Sequence, residues 1–534
     1  MTSLIGPSAS SAAATPATAV PQPQVVGIDY GTSSSAVARL DADGVPRILP
    51  DRIGRELTDS VLAFGDDGDV RVGTDHAEGG IDRPLVRAIK RHLGDRRFAF
   101  EHAGKRLSPE VLSALILRKL SDDASRFGSL GSVILTVPSY FFAPSRRATW
   151  STARLANLPV VELLAEPVAA ALARLWRTSG GKLASDDRER NLLVFDLGGG
   201  TFDVTIVRAR GGRLVVAATE GDNRLGGIDW TERLVDFAAE KFKRRHGADP
   251  RDNPASHMRL FTNCELAKCR LAQDARAVID VAHHGISMPL GLNCQEFHQI
   301  TSDLLERARD AAEFLFESSE IDPDDLDEIL LVGGGSQLPC IAKMMTKLCG
   351  RPVTAPHDPQ RSVVEGAAIY AAAHAARGGT TIGDAPLQRQ LEAIQLGDVN
   401  AHSIGIALDD PRGDRFSVNH ILIPRNTILP KSAKARFVTS LGNPEGIALR
   451  LVEGEAPEVA SCTTISQWRI LGLPPDLPAG SPVEVTLRCD SQREVSVEVR
   501  EQSCQGLARV ERIVGTRPES HQENQQLYAS FRLV

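Results

Sequence analysis

Four consecutive apolar residues, Leu192–Phe195, run into Asp196-Leu197-Gly198-Gly199-Gly200-Thr201, and the apolar pattern resumes at Phe202. An unbroken apolar run stopped by glycines predicts a buried strand and a tight turn. The order recurs at Val25-Val26-Gly27-Ile28-Asp29-Tyr30-Gly31-Thr32-Ser33-Ser34-Ser35. The elements after each turn recur as well. The first copy continues with a strand at Ser132–Pro138, a helix at Ser145–Ala156, a strand at Pro159–Leu164 and an Ala-rich helix from Glu166 to Trp176; the second has Glu328–Pro339, Pro352-Val353 and Val363–His374. A duplication at 25–176 and 192–376 predicts two similar α/β lobes with a cleft where the turns converge. Helical spacing is also predicted at Pro84–Leu93, at 108–127 (Ser108 as N-cap, Pro109 at the first helical position), at Asp229–Arg245 and at His257–Gln273. The last two suit a subdomain closing over the cleft, and the polar loop 178–190 separates the lobes.

From about residue 377 the period changes. Short alternating runs at Ser403–Leu408, Phe416–Leu422, Ala435–Thr439, Gly446–Glu453, Trp468–Leu473, Pro482–Cys489, Val495–Glu501 and Arg509–Val514 predict a β-sandwich. Residues 516–534 show no core face, and residues 1–24, rich in Ala, Ser, Thr and Pro, read as a disordered tail. The 534 residues exceed one ordinary core. A net charge of −7 argues against a nucleic-acid partner. No run approaches the ~18 apolar residues of a membrane span and no signal peptide is evident, so the expected location is cytoplasmic. The 8 cysteines include no C-x-x-C pair and read as thiols of a reducing compartment.

The chemistry lies in the turns. Glycines let backbone N–H groups close on phosphate oxygens, and an acid at the strand end can hold the hydration shell of Mg²⁺. Each turn alone is also explained as a hairpin between buried strands. Two of them, each carrying an acid, suit one di- or triphosphate clamped between the lobes.

Taken in order, Gly27-Ile28-Asp29-Tyr30-Gly31-Thr32, Ile89-Lys90-Arg91, Val137-Pro138-Ser139-Tyr140-Phe141, Glu166-Pro167, Phe195–Asp203, Leu225-Gly226-Gly227 and Leu331–Pro339 resemble the DnaK-type chaperones of the heat shock protein 70 family. The resemblance implies a multidomain α/β plus β chain: a duplicated actin-like ATPase domain at 25–390, a linker at 391–400 and a peptide-binding β-sandwich at 401–515. It implies ATP/ADP and Mg²⁺ as cofactors, with Asp29 and Asp196 on the metal. Lys90, Glu166, Asp196 and Thr201 carry hydrolysis, Lys90 at the γ-phosphate and Glu166 near the attacking water. Thr32, Ser33, Ser34, Gly199 and Gly200 form the cradle, with Asp203 beside it and Gly227 near the ribose and phosphates. Glu265 and Lys268, one helical turn apart, contact the ribose, and Gly334, Gly335 and Ser336 lie against the adenosine. Phe437, Val438, Ile447 and Leu449 line the peptide groove, although strand core explains each of them equally well. The implied partners are extended or unfolded polypeptide, a nucleotide-exchange factor and a J-domain co-chaperone.

The sequence also departs from the family pattern. Cys269, Ala272 and Gln337 stand where an adenine-facing side chain, a serine and an arginine are usual, which predicts weaker adenine binding. The linker, Ile394-Gln395-Leu396-Gly397-Asp398, has lost two leucines, which predicts docking weakened by about 2–4 kcal/mol. Glu162 replaces an arginine that meets J-domains, so a non-standard co-chaperone is expected. Pro138 and Arg146 match positions that relay between domains. Asp409 is expected to narrow the groove, and the helical lid that follows the sandwich in the family has no counterpart here, which predicts fast peptide release. Two other functions suit parts of the pattern: an ATP-sensing binding protein with little hydrolysis and a dedicated partner, and a small-molecule kinase on the same duplicated fold.

Overall fold

The first apolar run forms β1 (Gln24–Tyr30), which turns at Gly31 into β2 (Ser34–Leu40) and β3 (Pro46–Ile48). This computed structural model describes residues 23–65, 68–73, 85–185, 187–354, 358–409, 417–439, 447–471, 478–501, 509–513, 521–529 and 531–533. The expected N-terminal tail, apart from residues 23 and 24, lies outside them. Helix α1 (Pro109–Ala124) starts where its sequence predicts, with the Val111 N–H donating to Ser108 Oγ at 3.4 Å. Then come β4 (Leu130–Val137), α2 (Ala143–Leu155), β5 (Val160–Ala165) and α3 (Glu166–Thr178). The sheet order is β5-β4-β1-β2-β3, with β4 parallel to β1 and β2 antiparallel to it.

The second lobe repeats this plan. Strands β6 (Arg190–Leu197), β7 (Phe202–Arg210) and β8 (Arg213–Asp222) form an antiparallel meander, helices α4 (Gly227–His246) and α5 (Pro254–Leu271) come next, and β9 (Glu328–Val332) lies parallel to β6. A parallel bridge between Leu330 and Thr354 stands where β5 stands in the first lobe. Helix α6 (Ser362–Arg377) packs against α3 at the join of the lobes. The approach is close enough that a Cβ on Gly366 would sit 1.8 Å from the Ala169 carbonyl oxygen. Residues of both helices share one buried cluster with Ile134 of the first sheet and Val194 and Val207 of the second, which fixes the lobes about the cleft.

Two segments differ from expectation, at Pro84–Leu93 and at the C-terminus, and the linker between the domains is seen in place. The helix expected at Pro84–Leu93 is a two-residue strand, Leu85–Val86, and one 3-10 turn, Ile89–His92, because Ala88 takes a left-handed conformation (φ 54°) that breaks the helix. The linker does dock. Strand β10 (Gln395–Gly397) adds in parallel to β8, pairing Arg213 with Gln395, Leu214 with Leu396 and Val215 with Gly397. Backbone pairing and the fully buried flanks Ile394 and Val399 hold it, while Gln395 is exposed. Finally, the C-terminal residues expected to lack a core face form a helix, His521–Ala529, and a short strand, Arg532–Leu533, on the first lobe, with Tyr528 and Phe531 in that lobe's core.

The sandwich packs a five-stranded sheet (Ile404–Asp409, Ser417–Ile423, Ile447–Glu453, Thr463–Leu471, Arg509–Ile513) on a three-stranded one (Lys431–Val438, Pro482–Cys489, Val495–Glu501). It is seated against both lobes. On the first, Ala143 N–H donates to Glu453 (2.8 Å), Leu163 N–H to the Gln492 side chain (3.2 Å), Arg147 to the Ile465 carbonyl (2.6 Å) and His402 meets the Tyr140 carbonyl (3.0 Å). On the second, Thr219 N–H donates to Asn426 (3.0 Å) and Arg425 pairs with Glu220. Arg146 is buried here and donates to the Gln492 carbonyl at 3.4 Å, leaving its Nε and Nη1 unpaired. Arg493 is bidentate to linker Asp398 (2.8 and 2.9 Å) and donates to the Ser139 carbonyl at 2.6 Å. Glu162 is half-buried and engaged by Tyr370 and Gln492, each at 3.0 Å. Among the described residues no helix is long and apolar enough to cross a membrane, and none of the seven cysteines is in a disulfide.

Candidate functional site

The two glycine turns face each other. A Cβ on Gly199 would fall 1.9 Å from Ser33 Oγ, and one on Gly200 would fall 2.4 Å from the Thr32 methyl carbon, so only glycine permits the approach. Between them lies a cavity of 350 Å³. Its walls hold Asp29, Thr32, Ser33 and Ser34 from the first turn, Asp196, Gly199 and Thr201 from the second, and Lys90 with Glu166. Gly227, Glu265, Lys268, Gly334 and Gly335 complete them from the second lobe. Two of the expected residues lie just behind the wall. Gly200 is buried and its carbonyl accepts from Arg91 Nε (2.7 Å), while Ser336 turns inward and donates to the Gly333 carbonyl (2.7 Å), closing the turn that carries Gly334 and Gly335.

Each side chain is set by its element. Asp29 ends β1 and accepts from Thr136 Oγ1 at 2.9 Å, and Asp196 stands at the matching position of β6. Glu166 opens α3 directly after β5 and accepts from Lys90 Nζ at 2.6 Å. Lys90, 2% exposed, is held between the rings of Tyr30 and Phe141, 5.7 and 5.9 Å away. Lys268 donates to Glu265 (2.8 Å) and to the Gly227 carbonyl (2.7 Å), which joins α5 to the start of α4. Cys269, Ala272 and Gln337 line the same cavity, together with Gln273 and Gln360.

The electrostatics call for a cation. Burial, then the Glu166 charge, raises the Asp29 carboxyl to about 7; burial raises Asp196 well above the carboxylate range, with Glu166, Asp203 and Asp29 adding to it. Asp203 is likewise pushed to about 7 by burial and by Glu166. Half-buried Asp29 and buried Glu166, Asp196 and Asp203 are set about the ammonium of Lys90, and ionising all four of them requires further positive charge. Among the described residues no three His, Cys, Asp or Glu side chains stand close enough to ligate one ion directly. The donor set therefore fits a divalent cation that keeps its water and shares phosphate oxygens.

The sequence-based expectations did not include Arg91, which crosses the cleft to pair bidentately with Asp229 at the start of α4. The signal was its place beside Lys90 in a short basic motif. In the sandwich, Leu449 is buried in the core and Phe437 packs against the same cluster, edge-on to His420. Val438, next to Phe437 on the same strand, is 68% exposed. The side chains of Ile447 and Asp409 lie outside the described residues.

Comparison with known proteins agrees with this architecture. The family model described as Hsp70 protein matches residues 25–99 and 94–530. A chaperone protein DnaK of Thermotoga neapolitana is 33% identical over 490 residues, 89% of this chain and 78% of its own length. That of Thermosipho africanus is 32% identical over 488 residues (89% and 78%), and that of Halobacterium salinarum 31% over 490 (90% and 73%).

Proposed function

The chain belongs to the Hsp70 family of DnaK-type chaperones, and from that premise we propose that it is an ATP-dependent chaperone that hydrolyses ATP slowly on an actin-like domain. Its sandwich binds extended apolar polypeptide under nucleotide control. The observation that carries this is the buried Lys90–Glu166 pair on the floor of a cavity walled by two facing glycine turns. Backbone N–H groups of Thr32–Ser34 and of Gly199–Thr201 would receive the phosphates, and Asp29 with Asp196 would hold Mg²⁺ through water. The bound ion would offset charge on the phosphoryl oxygens. Lys90 is positioned to stabilise charge on the transferring group, Glu166 to orient the attacking water and Thr201 to donate its hydroxyl. Glu265 and Lys268 would hold the ribose. Gly334, Gly335 and Ser336 would shape the base end, where Cys269, Ala272 and Gln337 supply no cation.

The nucleotide site and the sandwich share a backbone segment. Ser139 and Tyr140 N–H groups donate to Asp203 (3.2 and 2.9 Å), and the carbonyls of the same residues accept from Arg493 and meet His402. Under this proposal the protein works in the cytoplasm on unfolded segments, with a nucleotide-exchange factor and a non-standard J-domain partner. The test is single-turnover hydrolysis of ATP by the full chain, with fluorescent-peptide binding measured in ATP and ADP. Phosphate release no faster than in Lys90→Ala, or peptide affinity indifferent to nucleotide, would overturn it.

A further inference from the structure

The segment after the sandwich leaves it and returns to the first lobe. Arg532 and Leu533 pair in parallel with Asp69 and Val70, extending the small sheet that also holds Leu62–Phe64 and Leu85–Val86. Phe531, 4% exposed, meets Phe64 edge-on at 5.7 Å beneath Lys105, whose ammonium lies 5.0 Å from its ring. Tyr528, 8% exposed, lies under Arg118 at 5.8 Å, and the helix His521–Ala529 rests on α1 and α2. An aromatic socket beside an open strand edge is a site for β-strand addition. Here its occupant is the chain's own residues 521–533.

We infer that this segment is a strap that restrains the sandwich on the nucleotide-binding lobes. The sandwich is joined to those lobes at its start through the linker and β10, and at its end through residues 514–520 and the strap. Those seven residues reach at most ~25 Å when fully extended. With the strap seated, an undocked sandwich explores only a small volume and re-docks as an intramolecular event. The strap thus biases the domains toward the docked arrangement, whatever the sandwich binds. A lengthened connection weakens the bias without touching any contact.

That distinction supplies the test, made on the full chain by hydrogen exchange of the Ala143, Leu163 and Thr219 amides, which donate across the interface. Inserting twenty Gly/Ser residues between Ile513 and His521 takes the connection from 7 to 27 residues. The loop-closure dependence then predicts about sevenfold faster exchange of the three amides. Protection at Val70 stays unchanged, because the strap remains seated. A second variant, Tyr528→Asp with Phe531→Asp, removes strap packing and should accelerate the same amides at least as much, together with that of Val70. Exchange at the interface unaltered by the insertion would overturn the inference. So would sedimentation as a dimer with strap cross-links between isotopically distinct copies, since the segment would then be exchanged between molecules.

Discussion

Replacing Arg493 by alanine tests whether the docked arrangement is held by side-chain chemistry at a single loop. The guanidinium is buried, makes two short bonds to linker Asp398 and one to the Ser139 carbonyl, and so ties sandwich, linker and first lobe together. Truncating one member of a buried, hydrogen-bonded ion pair costs about 2–5 kcal/mol. The Asp398 side chain keeps 20% of its exposure and still accepts from the Val399 N–H, so water and that N–H compensate part of the loss. The lower part of the range, about 2–3 kcal/mol, is expected, a ~30- to 150-fold rise in the undocked population. Amide exchange at Gln395–Gly397 with ATP present reads this directly. Arg493 also sits at φ 63°, in a turn closed by Arg493 N–H to Asp490 O and Asp490 N–H to Glu494 O. That strain belongs to the loop and is present whether or not the domains dock. Arg493→Gly should therefore undock the domains as much as Arg493→Ala, yet leave the sandwich about 1 kcal/mol more stable than the alanine variant. Linker exchange unchanged in Arg493→Ala, or docking restored in Arg493→Gly, would refute the reasoning.

Other outcomes rest on the same geometry. Lys90→Ala should lower single-turnover ATP hydrolysis by roughly 10²–10³-fold, since it removes a preorganised cation and leaves Glu166 unpaired. Gly199→Ala places a Cβ 1.9 Å from Ser33 Oγ, forces the lobes apart, and should abolish tight ATP binding in equilibrium titrations while the lobes stay folded. At the interface, Glu453 is raised from 4.5 to about 7 by burial, so docking takes up a proton and weakens as pH rises through that window. His402 is lowered from 6.5 to about 3 by burial, so docking expels a proton and weakens as pH falls below 6.5. The two slopes cancel between pH 4.5 and 6.5, and the protection factors of the interface amides, their exchange rates corrected for the intrinsic base catalysis of exchange, should be flat there. In His402→Gln the same protection factors should fall about tenfold per pH unit as pH rises through that window.

How much of this was legible depended on the range of the interactions involved. Strand, acid, glycines and hydroxyls are adjacent in the chain, so both turns and the duplicated lobes could be read directly, and Ser108 with Pro109 marked the start of α1. The hairpin Arg276–Asn293 and the helix Ser302–Ser318 were missed, although the alternation in Arg276–His283 and the spacing of Leu304, Ala308, Ala312 and Leu315 carry the signal of each. How the linker is seated could not be read from its side chains, because β10 is held by backbone bonds and by buried Ile394 and Val399. Tyr528 and Phe531 looked like isolated aromatics in a charged tail. Their partners on the first lobe, Phe64 among them, are separated from them by almost the whole chain. Arg493 reads as an ordinary hairpin residue until Asp398, 95 positions earlier, is brought beside it.

The residues that could not be read locally are the ones that join the domains, and there is a physical reason. Each cleft residue is fixed by its own strand end or helix start, whereas a domain interface is made by groups that have no reason to be polar, buried or strained within their own domain. Asp203 shows the contrast. As a strand acid it is ordinary, but its two oxygens hold the Ser139 and Tyr140 N–H groups, and the rigid peptide unit that contains Tyr140 N–H carries that geometry to the Ser139 carbonyl on its other face. That carbonyl accepts from Arg493, and the Tyr140 carbonyl of the next peptide unit meets His402. Under the proposed function, displacement of Asp203 is expected to alter the hydrogen bond from Arg493 within one residue's length. This path from Asp203 to the sandwich uses neither Gln395 nor Gly397, the two linker positions where leucine is missing.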